Sequence, residues 1–215
     1  MSRKSFLGLL ILALLFSPAV WASDQTGGGK QLSEDLSYAT YGNSAARVKV
    51  VVSSLVAKIE KPKRFLPLQI AIGLRGTGKE ISFNYESFQL IDAQGNYAAT
   101  ATPEDLQKNQ NVWLETERMR QLRPIQTADY YYGYKPVGSN MYPKAGQPQF
   151  IKLDQNMFLK DVIYFPLPDS LDGVMTLVVM GQGMDDPVEV NFAIPESKKE
   201  KEKEAEKEKE KDESK

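Results

Sequence analysis

In the middle of the chain, apolar residues recur at every second position. Leu66, Leu68, Ile70, Ile72 and Leu74 fall on one face of an extended strand. Val48, Val50 and Val52 show the same period, and Val56 and Ile59 continue the apolar pattern after Ser53-Ser54. Ile81, Phe83 and Tyr85 alternate again, but the apolar set then moves to even numbers at Phe88 and Leu90. That shift predicts a bulge or a strand break. Further strands are predicted over 97–100, 162–165, 174–180 and 188–194. Gly76-Thr77-Gly78 reads as a turn. Asp92 to Asn96 reads as a hairpin turn, with Gly95 free to take positive φ. Short strands punctuated by Gly, Pro and Asp predict a mainly β protein, an antiparallel β-sandwich and not a parallel α/β sheet.

One short helix is predicted inside the long region between the early and late strands. Thr102-Pro103-Glu104-Asp105 supplies a capping oxygen, a proline at the first helical position and acids in the first turn. Beyond two turns the pattern is open, because Val112-Trp113-Leu114 also suits a strand.

The first residues have a different character. Arg3 and Lys4 precede an apolar run from Phe6 to Phe16. Ser17-Pro18 breaks it, and Val20 and Ala22 stand where a signal peptidase reads. The run of about 11 residues is too short for a bilayer span of roughly 20. Residues 1–22 are therefore expected to be a secretory signal cleaved after Ala22, with no membrane span in the mature chain and a periplasmic or secreted location. Residues 23–46 read as a polar, flexible leader, 47–195 as the β-sandwich domain, and 196–215 as a disordered Lys/Glu-rich, low-complexity tail.

The stretch LPLQIAIGLRGTGKEISFNYESFQLIDAQGNYAA (66–99) and the later DVIYFPLPDSLDGVMTLVV (161–179) resemble immunoglobulin-like extracellular domains of unknown function from bacterial envelope proteins. Phe88, Leu90, Gly95 and Tyr97 stand at that family's places, and Asp92 comes one place late. The resemblance implies an immunoglobulin-like sandwich and no active site. Many members carry a lipid on cysteine, which this chain lacks.

Composition removes whole classes of chemistry. The chain has no cysteine and no histidine, which excludes disulfides, thiol nucleophiles and Ser-His-Asp catalysis. With 27 basic and 28 acidic residues its charge is balanced, and no nucleic-acid partner is expected. No cofactor and no metal site is expected either. Asp169, Asp172, Asp185 and Asp186 fit turn chemistry better than a calcium loop. Glu115 and Glu117 are a weak pair for glycoside cleavage, because residues two apart on a helix do not face each other. Arg118, Arg120 and Arg123 read as a solvated helix end.

The most distinctive feature is Tyr130, Tyr131, Tyr132 and Tyr134, with Tyr142 nearby, in a Gly/Pro-rich stretch. A loop that displays phenols suits a protein or glycan partner in the envelope. Each tyrosine taken alone is better explained by packing at a strand edge or over the core. The expected function is a non-catalytic, exported binding module. The alternatives are an accessory subunit joined through an edge strand or the tail, and a carboxylate-dependent glycan-processing enzyme.

Overall fold

The computed structural model describes residues 38–42, 47–59, 64–111, 114–115, 118, 133–137, 141–142 and 150–195. Residues 1–22, read above as a signal, and the Lys/Glu-rich residues 196–215 lie outside them.

The protein is mainly β. One layer is a five-stranded sheet in the order β1-β2-β3-β9-β7, formed by β1 (Tyr38–Tyr41), β2 (Val48–Ser53), β3 (Phe65–Leu74), β9 (Met157–Pro166) and β7 (Lys135–Val137). The second is a four-stranded sheet in the order β11-β10-β5-β6, formed by β11 (Val188–Ala193), β10 (Val174–Val179), β5 (Phe88–Ile91) and β6 (Tyr97–Ala99). A two-stranded ribbon pairs β4 (Ile81–Phe83) with β8 (Ile151–Leu153). Pairing is antiparallel except between β7 and β9, which run parallel.

The alternation in the sequence becomes the core. Leu66, Leu68, Ile70 and Ile72 are fully buried, as are Leu90, Leu177, Val190 and Phe192 from the four-stranded sheet. Burying side chains of this size is worth about 1.5–3 kcal/mol each, so these two rows hold the layers together. Pro67 lies within β3 at no cost to the ladder. It faces Tyr164 on β9, and the pairing of β2 with β3 ends at Gln69, so its missing N–H would have had no strand to meet.

The break expected between Tyr85 and Phe88 is a 3-10 turn, Tyr85–Ser87. Asn84 and Ser87 close it reciprocally: the Asn84 N–H donates to Ser87 Oγ at 3.1 Å, and Ser87 Oγ donates to Asn84 Oδ1 at 3.1 Å. The break is where the chain leaves the ribbon at β4 and enters the four-stranded sheet at β5. The hairpin after β5 is as expected. Gly95 has φ 85°, and one Asp92 oxygen accepts the N–H groups of Gln94 at 2.9 Å and Asn96 at 2.8 Å. Helix α2 (Pro103–Lys108) starts in a capping box, with the Asp105 N–H donating to Thr102 Oγ1. Residues 110, 111, 114, 115 and 118 are also helical, so Leu114 is in a helix and not in a strand.

Three expectations need correction. Residues 38–41 lie in the segment read as a flexible leader, yet they form β1, where Ala39 is fully buried beside Val52. Val56 does not extend β2. Ser53 Oγ accepts the Leu55 N–H at 3.4 Å, and the chain turns into a second short helix, α1 (Leu55–Ile59), in which Val56 is fully buried. The sheet is also not wholly antiparallel, because β7 sits in the tyrosine-rich region and joins β9 in parallel.

The two turn carboxylates give a pH dependence with a definite sign. The Asn96 side-chain amide, followed by backbone N–H groups, holds Asp92 below the usual carboxylate range. The Thr102 side chain and N–H do the same for Asp105. Both groups stabilise the fold fully above the unfolded value of about 4, and the contribution is lost as pH falls through the lower folded values. Carboxyl-carbon NMR titration should give midpoints for both below those of exposed aspartates, and ordinary midpoints would contradict the turn geometry.

Candidate functional site

Of the five tyrosines singled out in the sequence, the structure describes Tyr134 and Tyr142, and it gives them different surroundings. Tyr130, Tyr131 and Tyr132 lie outside the described residues. Tyr142 is only 6% exposed. Its ring stacks on Tyr85 with centroids 5.6 Å apart and meets Tyr164 edge-on at 5.5 Å. Its hydroxyl accepts the Tyr164 N–H at 3.0 Å, while the Tyr164 carbonyl accepts the Ala101 N–H at 2.7 Å. These two bonds close the edge of β9 beyond the point where β7 stops. Burial pushes the Tyr142 hydroxyl far up, so it stays neutral and has no role as a phenolate. The expected partner-facing role of Tyr142 is therefore replaced by edge closure.

Asp161 completes this anchor. It shares an inward row with Ile70 and is 8% exposed. Its carboxylate accepts the Met141 N–H at 2.9 Å and the Val162 N–H at 2.8 Å, which pins the Met141-Tyr142 segment into the sandwich. Nothing in the sequence pattern marked this acid, because the adjacent pair Lys160-Asp161 reads as a polar start to the apolar run 162–165.

Tyr134 is half-buried at the start of β7. It packs on Val51, Ala71 and Phe158 on the outer face of the five-stranded sheet. Lys49 Nζ lies over its ring, 5.9 Å from the centroid. Burial raises the Tyr134 pKa.

Among the described residues, the carboxylates singled out in the sequence form no group of three or more. Asp169, Asp172, Asp185 and Asp186 are exposed, and Ser170 and Asp172 bond one another in an ordinary turn, with the Asp172 N–H on Ser170 Oγ at 3.1 Å. Glu115 is helical and exposed, while Glu117, Arg120 and Arg123 lie outside the described residues. Among the described residues no group of three or more acids could hold a metal ion, and no helix is long and apolar enough to cross a membrane.

A different surface emerges from the register. On the outer face of the four-stranded sheet, Asn191, Thr176, Ile91 and Tyr97 form one row across the strands, and Glu189, Val178, Gln89 and Ala99 form the next. Val174 and Ala193 follow at the end. Tyr97 is 73% exposed and Val174 49%. A water-facing sheet ordinarily alternates apolar-in with polar or charged-out. Here the outward positions hold a single charge, Glu189, in a chain of 26% charged residues. Depletion of charge with an exposed aromatic is the composition of an interface core. The sequence hides this face because VMTLVV (174–179) is apolar at every position but Thr176 and reads as a strand buried on both sides.

No family model, no curated protein and no solved structure matches this chain, so the reading of its surface rests on its own residues and geometry.

Proposed function

We propose that this protein is an exported, non-catalytic binding module of the bacterial envelope that contacts a protein partner through the outer face of its four-stranded sheet. The signal-like segment ending at Ala22 supports export, and the resemblance to immunoglobulin-like envelope domains supports the setting. One observation carries the binding role: the nearly uncharged outward rows around Tyr97. Tyrosine offers a large contact area with few rotors to freeze. A protein partner is favoured over a glycan because aliphatic Val174, Val178 and Ile91 share the face with its one exposed ring, and the polar Gln89, Thr176, Asn191 and Glu189 lie among them as in a mixed protein interface.

The faces favour this reading over edge pairing. Strand β7, at one edge of the five-stranded sheet, carries Lys135 and Pro136, which discourage strand addition, and β6 is only Tyr97–Ala99. The test is site-specific photo-crosslinking in cells from position 176, at the centre of the face. A defined protein adduct is expected that disappears with Tyr97→Asp, while the melting temperature is unchanged, since an exposed substitution costs within about 0.5 kcal/mol. An adduct that persists in Tyr97→Asp, or none from this face, would overturn the proposal.

A further inference from the structure

On the outer face of the four-stranded sheet, the two central strands carry side chains of moderate size. These are Val174, Thr176 and Val178 on β10, and Gln89 and Ile91 on β5. The large ring and the single charge stand at the two margins. Tyr97 is on β6 at one edge of the sheet and Glu189 is on β11 at the other, one row apart in register. Both are exposed. Between them the Thr176 hydroxyl donates to Asn191 Oδ1 at 2.8 Å, so these two polar groups meet within the face itself.

We infer that the protein partner of this face, taken as the binding surface proposed above, is a second copy of this chain, related by a twofold axis that runs along the strands between β10 and β5. Such an axis lays β11 of one copy over β6 of the other, and β10 over β5. Each row then meets itself in reverse order. Tyr97 comes over Asn191 of the second copy, one row from its Glu189. Ile91 comes over Thr176, and Gln89 over Val178. The same contacts recur on the other side of the axis, as an isologous interface requires.

Spacing and charge both fit this pairing. Packed sheets stand about 10 Å apart, a gap that pairs of moderate side chains fill. Tyr97 does not meet its own copy across that gap. It meets the β11 margin, where Ala193, Asn191 and Glu189 are smaller. The two Glu189 carboxylates fall on opposite margins, about 14 Å apart across the sheet and a further 10 Å between layers. That exceeds the screening length of about 8 Å at physiological salt, so like charges do not oppose the pair. Each carboxylate instead faces the margin that holds a phenol, and a hydroxyl donating to a carboxylate makes a charge-assisted bond. The footprint sets the strength. It is about 20 Å by 20 Å on each copy, below the roughly 800 Å² per partner of a standard interface, so the pair forms at micromolar concentrations and above.

Sedimentation velocity on residues 23–215, from about 1 μM to about 1 mM, reads the association. The wild type is expected to pass from monomer to dimer over this range. Tyr97→Asp brings two carboxylates to each margin and should weaken the dimer by at least about tenfold. Adding Glu189→Lys places opposite charges at both margins, and the Tyr97→Asp/Glu189→Lys protein should recover to within about threefold of wild type. Within one copy these positions lie on opposite edge strands, so the recovery has no explanation inside a single chain. Melting temperatures should match throughout, since both positions are exposed. A chain that stays monomeric, a dimer indifferent to Tyr97→Asp, or a double variant no better than Tyr97→Asp would overturn the twofold pairing. The crosslink from position 176 separates this inference from the broader reading. An adduct of twice the chain mass supports the second copy. An adduct to a different protein, still lost in Tyr97→Asp, overturns the second copy and leaves the protein-binding face standing. No adduct at all ends both.

Discussion

Replacing Tyr142 by alanine is expected to destabilise the protein by about 3–5 kcal/mol, the cost of deleting a buried aromatic side chain. The ring is sandwiched between Tyr85 and Tyr164, and pairs of this kind contribute about 0.5–1.5 kcal/mol each beyond burial. Its hydroxyl is also the acceptor for the Tyr164 N–H on the edge of β9. Tyr142→Phe separates the two contributions. It keeps the stack and leaves that N–H without its acceptor, for an expected loss of about 1–3 kcal/mol. Urea denaturation measures both, and the midpoint should fall in the order wild type, phenylalanine, alanine. If Tyr142→Ala matched wild-type stability, the edge closure would be wrong and the tyrosine would regain its place as a surface contact.

The second large effect is expected at Gly183. Its φ is 96°, and a β-carbon built there would stand 2.8 Å from the Glu80 carbonyl oxygen. The strain of a positive φ and the clash with backbone act together, so Gly183→Ala should cost about 2–4 kcal/mol. Residues 181–183 are held this close because Ser82 and Gln182 exchange two backbone bonds, at 3.0 and 2.9 Å, tying the β10–β11 connection to β4. Gly181 is tight for a related reason, since a β-carbon there would meet Phe83 Cε1 at 2.6 Å. Thermal unfolding checks the prediction, and hydrogen exchange at Ser82 and Gln182 should report the loosened bridge first. A Gly183→Ala protein as stable as wild type would mean that this connection does not hold the ribbon.

Much of the architecture follows from local pattern. The alternation at Leu66–Leu74 reports the inward face of β3 because side chains of a strand point to opposite sides in turn. Asp92 and Gly95 specify a hairpin through their own hydrogen bonding and permitted φ, and Thr102-Pro103 specifies a helix start through capping. These interactions join residues only a few positions apart, so they are written in adjacent letters. The absence of histidine and cysteine likewise settles which catalytic chemistries are excluded, whatever the fold.

Tertiary structure alone decided the rest. Tyr97, Tyr134 and Tyr142 are the same side chain by sequence, yet one is open to water, one covers a sheet and one closes an edge. Their fates depend on which distant strand lies opposite, and a one-residue shift of register would exchange inside for outside. The outward rows of the four-stranded sheet become one surface only when strands far apart in the chain align. Local sequence carries the period of each strand, but the choice of neighbours is a global free-energy minimum, and the composition of each exposed sheet face is a product of that choice.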